Sequence, residues 1–201
     1  MQLFYTAGAC SLAPHIVLQE INQDFNLVSV SFKNHQTEQG QDFLKINPKG
    51  QVPFLINDDG LYLSEGAIIS QYLAETAKRS DLLPTFGDLK RYKVLEWMNY
   101  ISSELHKSYA PFFQKGFDDT SKNIFKEKLL KQYTWVDEQI HDSENLLGQA
   151  FTIAEIYLFV VTRWATFINL DLSHLKSLQA FMEQMQQHPS VQKAMQAEGL
   201  L

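Results

Sequence analysis

The chain has 201 residues, 45% of them hydrophobic and 12% aromatic, which is enough for one large packed domain or two small ones. Its net charge of -6 is spread without long runs, which argues against a nucleic-acid partner and leaves no polybasic stretch for a membrane surface. No apolar run approaches the ~18 residues of a spanning helix, and Met1–Tyr5 lacks a basic leader, so the expected location is cytoplasmic.

Leu3-Phe4-Tyr5 reads as a strand running into Thr6–Ala9, a loop of small residues, and then a helix through Glu20 with Pro14 in its first turn. That places Cys10 and Ser11 at a helix N-terminus, where unpaired N–H groups favour a thiolate. Cys10 is the single cysteine, so intrachain disulfides and cysteine-rich metal sites are excluded; it is either a small buried hydrophobe or a reactive thiol. A second strand is expected over Phe25–Phe32, a polar loop over Lys33–Gln41, and a short irregular helix over Asp42–Ile46.

In Asn47–Ile56 two prolines and a glycine abut a short apolar strand. Pro53 cannot donate to a sheet ladder and restrains Val52 to an extended form, so Gln51-Val52 should offer backbone groups to an extended peptide, with Val52-Pro53 a candidate cis bond. Asn57–Gly60 is a turn leading to Leu61-Tyr62-Leu63, which completes a hairpin, and Ser64 is positioned as N-cap of a helix over Ala67–Ala74. The order β-α-β-α-β-β-α is that of a thioredoxin-like domain. Periodicity lapses around Lys78–Asp88, and beyond it only helices are expected: Leu89–Phe113, Thr120–Ser143, Thr152–Asn169, Leu175–Gln187 and Ser190–Ala197, with Gly148, Asp171 and His188-Pro189 as breakers. The fold class is therefore an α/β N-terminal domain followed by an all-α domain, with boundaries at 1–78, a linker at 79–88, and 89–201.

Two features of the second half carry further expectations. Asn99, Ser103 and His106 lie at i, i+4 and i+7, so a regular helix sets them on one polar stripe, which is either solvated surface or part of a site. Thr152 and Glu155 form a capping box between Phe151 and Ile156, with a structural role.

Taken together, these segments resemble the cytosolic glutathione transferases, most closely the bacterial beta class, over nearly the whole chain. The matching motifs are Ala7-Gly8-Ala9-Cys10-Ser11, with Ala7 where the family has proline, Asn47–Pro53, Ser64-Glu65-Gly66 and Glu104-Leu105-His106. The resemblance implies a homodimeric glutathione transferase that uses glutathione as co-substrate and attacks a hydrophobic electrophile, with no metal or further cofactor. It assigns Cys10 to the glutathione sulfur, Val52 with Pro53 to its cysteinyl backbone, and Glu65 with Gly66 to its γ-glutamyl end. His35 stands where the family carries the lysine of the glycyl contact and is shorter. Asn99, Ser103, Glu104, Leu105 and His106 line the glutathione site by the same resemblance, Cys10, Ser11 and His106 are its catalytic set, and Trp164 borders the acceptor pocket. Two alternatives share the fold: a ligand-binding relative without turnover, and glutathione-dependent thiol-disulfide exchange through Cys10.

Overall fold

The computed structural model describes residues 1–141, 146 and 151–201. Gly148 and Ser143, an expected breaker and helix end, lie outside them. The chain divides into two compact units, Met1–Ser80 joined by His188–Leu201, and Asp81–Gln187.

The first unit holds a five-stranded sheet in the order β3-β2-β1-β4-β5. Strand β1 (Gln2–Tyr5) pairs parallel with β2 (Asn26–Ser31), the two being linked by helix α1 (Leu12–Glu20). On the other side β1 pairs antiparallel with β4 (Phe54–Ile56), which forms the hairpin with β5 (Tyr62–Ser64). The expected loop at 33–41 contains a fifth strand, β3 (Gln36–Thr37), antiparallel to β2 through Val30 opposite Thr37. Two residues are too few for a period-2 signal, and the buried Thr37 side chain is set by β2 rather than by local sequence. Helix α2 (Phe43–Ile46) is capped by the Asp42 side chain on the Leu44 N–H, and Phe43 joins Phe4, Val28, Val30, Val52 and Phe54 in one core.

Ser64 is the last residue of β5 and does not cap helix α3 (Gly66–Thr76); the cap position belongs to Glu65, at φ 70°. A non-glycine residue there is held against its own preference, which is common where a ligand is gripped.

In the second unit the helix expected at Leu89–Phe113 is continuous in path but changes its winding. Helix α4 (Leu89–Tyr100) gives way to a π-helical turn at Ile101–Leu105, then a 3-10 turn at His106–Tyr109, then helix α5 (Ala110–Phe113). The wider π turn breaks the angular step on which the Asn99–Ser103–His106 stripe was counted. Accordingly Asn99 and Ser103 are exposed while His106 is half-buried. Helix α6 (Asp119–His141) follows, then α7 (Ile153–Thr162), every residue of which is buried, as its apolar character on all sides requires. A 3-10 turn at Arg163–Ile168 ends at Asn169, in the left-handed region, and helix α8 (Lys176–Gln187) closes the unit.

Helix α9 (Pro189–Ala197) packs on α1 within the first unit, whereas the sequence pattern had grouped all of 89–201 together. Its apolar face, with Val191, Ala194 and Met195 buried, looks like that of any surface helix. Nothing local in it names the partner.

Candidate functional site

Cys10 sits in the turn before α1, half-buried, with Ser11 at the cap position. The Ser11 hydroxyl does not cap the helix; it accepts from the Thr6 N–H at 3.2 Å and donates to the Thr6 carbonyl at 3.3 Å, and the Ser11 side chain is fully buried. Ser11 thus holds the Cys10 loop through its side chain, at a position where a part in catalysis was expected. The Thr6 hydroxyl donates in turn to the Val30 carbonyl at 2.7 Å, fixing the loop to β2.

The Cys10 thiol donates to the Val52 carbonyl at 3.3 Å. Val52-Pro53 is cis, as its sequence setting suggested. The Val52 side chain is in the core, so it presents its backbone edge, and among the described residues no group accepts from its N–H. Gly66 completes this cluster: a Cβ there would come within 3.5 Å of Pro53 Cγ and 3.9 Å of the Cys10 carbonyl. Cys10 is therefore brought together with Val52, Pro53 and Gly66, the first of which lies 42 residues further along the chain.

The loop that delivers Val52 is braced from within. Asn47, buried, donates from Nδ2 to the Gln51 carbonyl at 2.8 Å and accepts from the Lys49 N–H at 3.2 Å. Gly50 lies at φ 63°, where an added Cβ would stand 2.9 Å from Leu44 Cδ2 and 3.2 Å from His35 Nδ1. His35 is itself at φ 52°, with its ring laid against that glycine and its buried Nδ1 without a hydrogen bond among the described residues. Glu65 is exposed and accepts from Lys49 Nζ at 3.0 Å, the same ammonium that donates to the Ser64 hydroxyl at 3.0 Å. Sequence reasoning passed over Lys49, whose only signal was its place inside the Asn-Pro-x-Gly motif.

In the second unit His106 Nδ1 lies 2.6 Å from the Tyr157 hydroxyl on α7, and its ring packs edge-on to Trp164 at 4.9 Å. Trp164 is nearly buried and also meets Tyr109 at 5.5 Å and Phe113 at 6.3 Å. Tyr157 was not expected; it lies on the helix started by the capping box, which the sequence marked only as structural. Leu105 is fully buried, so any ligand contact it makes runs through its backbone. Glu104 directs its carboxylate at α6, accepting from Gln132 at 3.1 Å with Lys128 Nζ at 3.3 Å. Burial holds the neighbouring Tyr109 and Tyr133 hydroxyls, 3.0 Å apart, above the usual phenol range, Tyr133 being pushed up to about 12. A separate recess of about 690 Å³, lined among others by Phe167, Leu172, Gln179 and Met182, contains none of the expected site residues.

Residues 1–75 match the model of the glutathione S-transferase N-terminal domain and residues 103–198 that of the C-terminal domain. The chain is 46% identical over 200 residues to the glutathione S-transferase GstA of Escherichia coli O157:H7, with all of both proteins covered. The chain belongs to the glutathione S-transferases. Among solved structures, this transferase superposes on a ternary complex of BphK, a bacterial GST, with a TM-score of 0.96 at 44% identity, all of both chains being covered. It superposes as fully on a sphingomonad glutathione S-transferase complexed with glutathione, with a TM-score of 0.95 at 37% identity. The transferase thus carries the thioredoxin-like N-terminal fold and helical C-terminal fold expected of it.

Proposed function

We propose that this transferase binds glutathione along the Val52 backbone edge and stabilises its thiolate beside Cys10. The observation that carries this reading is the Cys10 thiol 3.3 Å from the Val52 carbonyl at the cis bend, with Gly66 against Pro53. A tripeptide laid antiparallel to Val52 satisfies the backbone N–H that no described residue meets, and its sulfur then falls near Cys10. The N-terminus of α3 at Gly66 supplies N–H groups for the γ-glutamyl carboxylate, and the Glu65 carboxylate suits its ammonium, which would displace Lys49. His35 stands for the glycyl end, and Asn99 and Ser103, both exposed, remain available for polar contacts. His106 keeps the role of a donor to a thiolate, and Trp164 that of an aromatic surface for an apolar electrophile.

In the reaction the glutathione thiol loses its proton to solvent, the sulfur lone pair forms a bond to the electrophilic carbon, and the leaving group departs with the bonding electrons. A second reading is thiol-disulfide exchange, favoured by the half-exposed Cys10 thiol: its thiolate attacks a disulfide, one half leaves as thiolate, and a glutathione thiolate releases Cys10 from the mixed disulfide. The assembly proposed is a homodimer, supported by exposed Phe86, Leu89 and Tyr92 around the start of α4, which a second copy would cover. Among the described residues no helix is long and apolar enough to cross a membrane, and a cytoplasmic location is proposed.

Thermal unfolding with glutathione tests the site without knowledge of the electrophile. Saturation at about a hundred times Kd adds roughly 2.7 kcal/mol, a rise of about 5–10 °C for a chain of this size. Glu65→Ala should remove most of that rise, and Cys10→Ser should keep much of it while altering turnover. A wild-type midpoint unmoved by millimolar glutathione would defeat the proposal.

A further inference from the structure

We propose that Glu198, held by His15, is a positioning residue for the Cys10 loop. Glu198 ends α9, and its carboxylate has no solvent exposure. One oxygen, Oε1, lies 2.8 Å from His15 Nδ1 on α1; the other, Oε2, accepts from the Gly8 N–H at 2.9 Å. A carboxylate withdrawn from water must be met by donors on both oxygens, and these two donors come from opposite sides of Cys10, one from the loop before it and one from the helix after it. Gly8 turns at φ 72°, and a Cβ there would reach Leu200 at 3.5 Å, so the segment after α9 also closes over this apex.

The loop is held elsewhere too, by the Ala9 N–H on the Thr6 carbonyl at 3.0 Å and by bonds at its ends. Ser11 holds Thr6, and Thr6 holds Val30. Glu198 grips the middle, two residues from the thiol. The His15 ring cannot swing to release it, being wedged between Tyr5 at 6.4 Å and Phe25 at 5.5 Å, with Gln19 Nε2 3.5 Å from its far nitrogen. The consequence is a chain of contacts from α9 to Cys10 and, through the Cys10 thiol, to the Val52 carbonyl that faces the tripeptide. This inference rests on the glutathione reading for its effect on substrate, but its effect on the thiol does not need glutathione.

The test combines Glu198→Ala and Glu198→Gln with three readouts: the rate of Cys10 alkylation against pH without glutathione, the KM for glutathione against kcat, and the melting midpoint. Alanine should shift the alkylation profile and raise KM about tenfold, as loss of a hydrogen bond to a charged group predicts. Glutamine should restore part of both, because its amide oxygen still accepts from the Gly8 N–H, while its NH₂ meets His15 only if the ring moves its proton from Nδ1 to Nε2. If the alanine variant is folded with an unchanged alkylation profile and KM, and only its midpoint falls, Glu198 is merely a stabilising contact and the proposal is overturned. Should the alanine variant not fold, hydrogen exchange on the wild type decides: the Gly8 amide should exchange at least about a hundredfold more slowly than that of exposed Gly87, and equal rates would overturn the proposal. Failure of the glutathione reading would show separately, as a wild type whose midpoint ignores the ligand while Glu198→Ala still shifts alkylation.

Discussion

Removing the Thr152 side chain should loosen the second unit from its centre. Helix α7 is buried along its whole length and packs against α4 and α8, so fraying at its first turn exposes core rather than surface. The Thr152 hydroxyl accepts from the Ala154 N–H at 3.1 Å, and Glu155 Oε2 accepts from the Thr152 N–H at 3.0 Å and from the Thr152 hydroxyl as well. Loss of an N-cap costs roughly 0.5–2 kcal/mol, and the upper end applies because Thr152 and Glu155 are both buried and the released N–H cannot turn to water. Thr152→Ala is therefore expected to cost about 2 kcal/mol, a fall of roughly 4–8 °C in the melting midpoint for a chain of this length. Thr152→Ser keeps the acceptor and should stay within about 2 °C of the wild type. Glu155→Ala should cost at least as much as Thr152→Ala, and the double variant less than the sum by about 1 kcal/mol, since each partner loses its function when the other is gone. Circular dichroism melts of the four variants and the wild type provide the comparison. A Thr152→Ala midpoint indistinguishable from that of Thr152→Ser would refute the reasoning.

Two further outcomes concern groups elsewhere. Burial raises the Tyr109 and Tyr133 hydroxyls, so the unfolded chain ionises these residues first; the stability they contribute is complete below about pH 10 and drains away as pH climbs towards about 12. Urea midpoints at pH 9 and pH 11 should therefore differ less in a Tyr109→Phe/Tyr133→Phe protein than in the wild type, and equal differences would contradict the assignment. His35→Lys should lower the KM for glutathione several-fold by restoring a fixed charge for the glycyl carboxylate, at some cost in midpoint because the His35 ring packs on Gly50; an unchanged KM would show that position 35 does not reach the ligand.

The parts of the site that were legible are those written in proline. Pro53 limits what Val52 can do and Pro14 marks where α1 begins, so the bend and the helix start behind Cys10 followed from residue types with few conformations, whereas their meeting was implied by the family resemblance. The Thr152 and Glu155 box was equally readable, because a cap is a local bond between residues three apart. What escaped had no local signature. Glu65 and His35 adopt positive φ without being glycine, so only their surroundings impose it. The π turn at Ile101–Leu105 carries no pattern of its own, and it turned a counted stripe into two exposed side chains and one half-buried histidine. Glu198 and His15 are 183 positions apart, and neither announces the other.

The grouping of His188–Leu201 with Met1–Ser80 sets an order of events during synthesis. A ribosome delivers β1 to α3 long before α9, so the nascent first unit has α1 uncovered on the face where Val191, Ala194 and Met195 will lie, and His15 without its carboxylate. The half of the molecule that emerges first is thus completed last, after the whole of the second unit has been made. Cutting the chain between Ser80 and Asp81 would leave an N-terminal fragment with an apolar helix face open to water, prone to stick to its own kind rather than to fold as a free-standing domain.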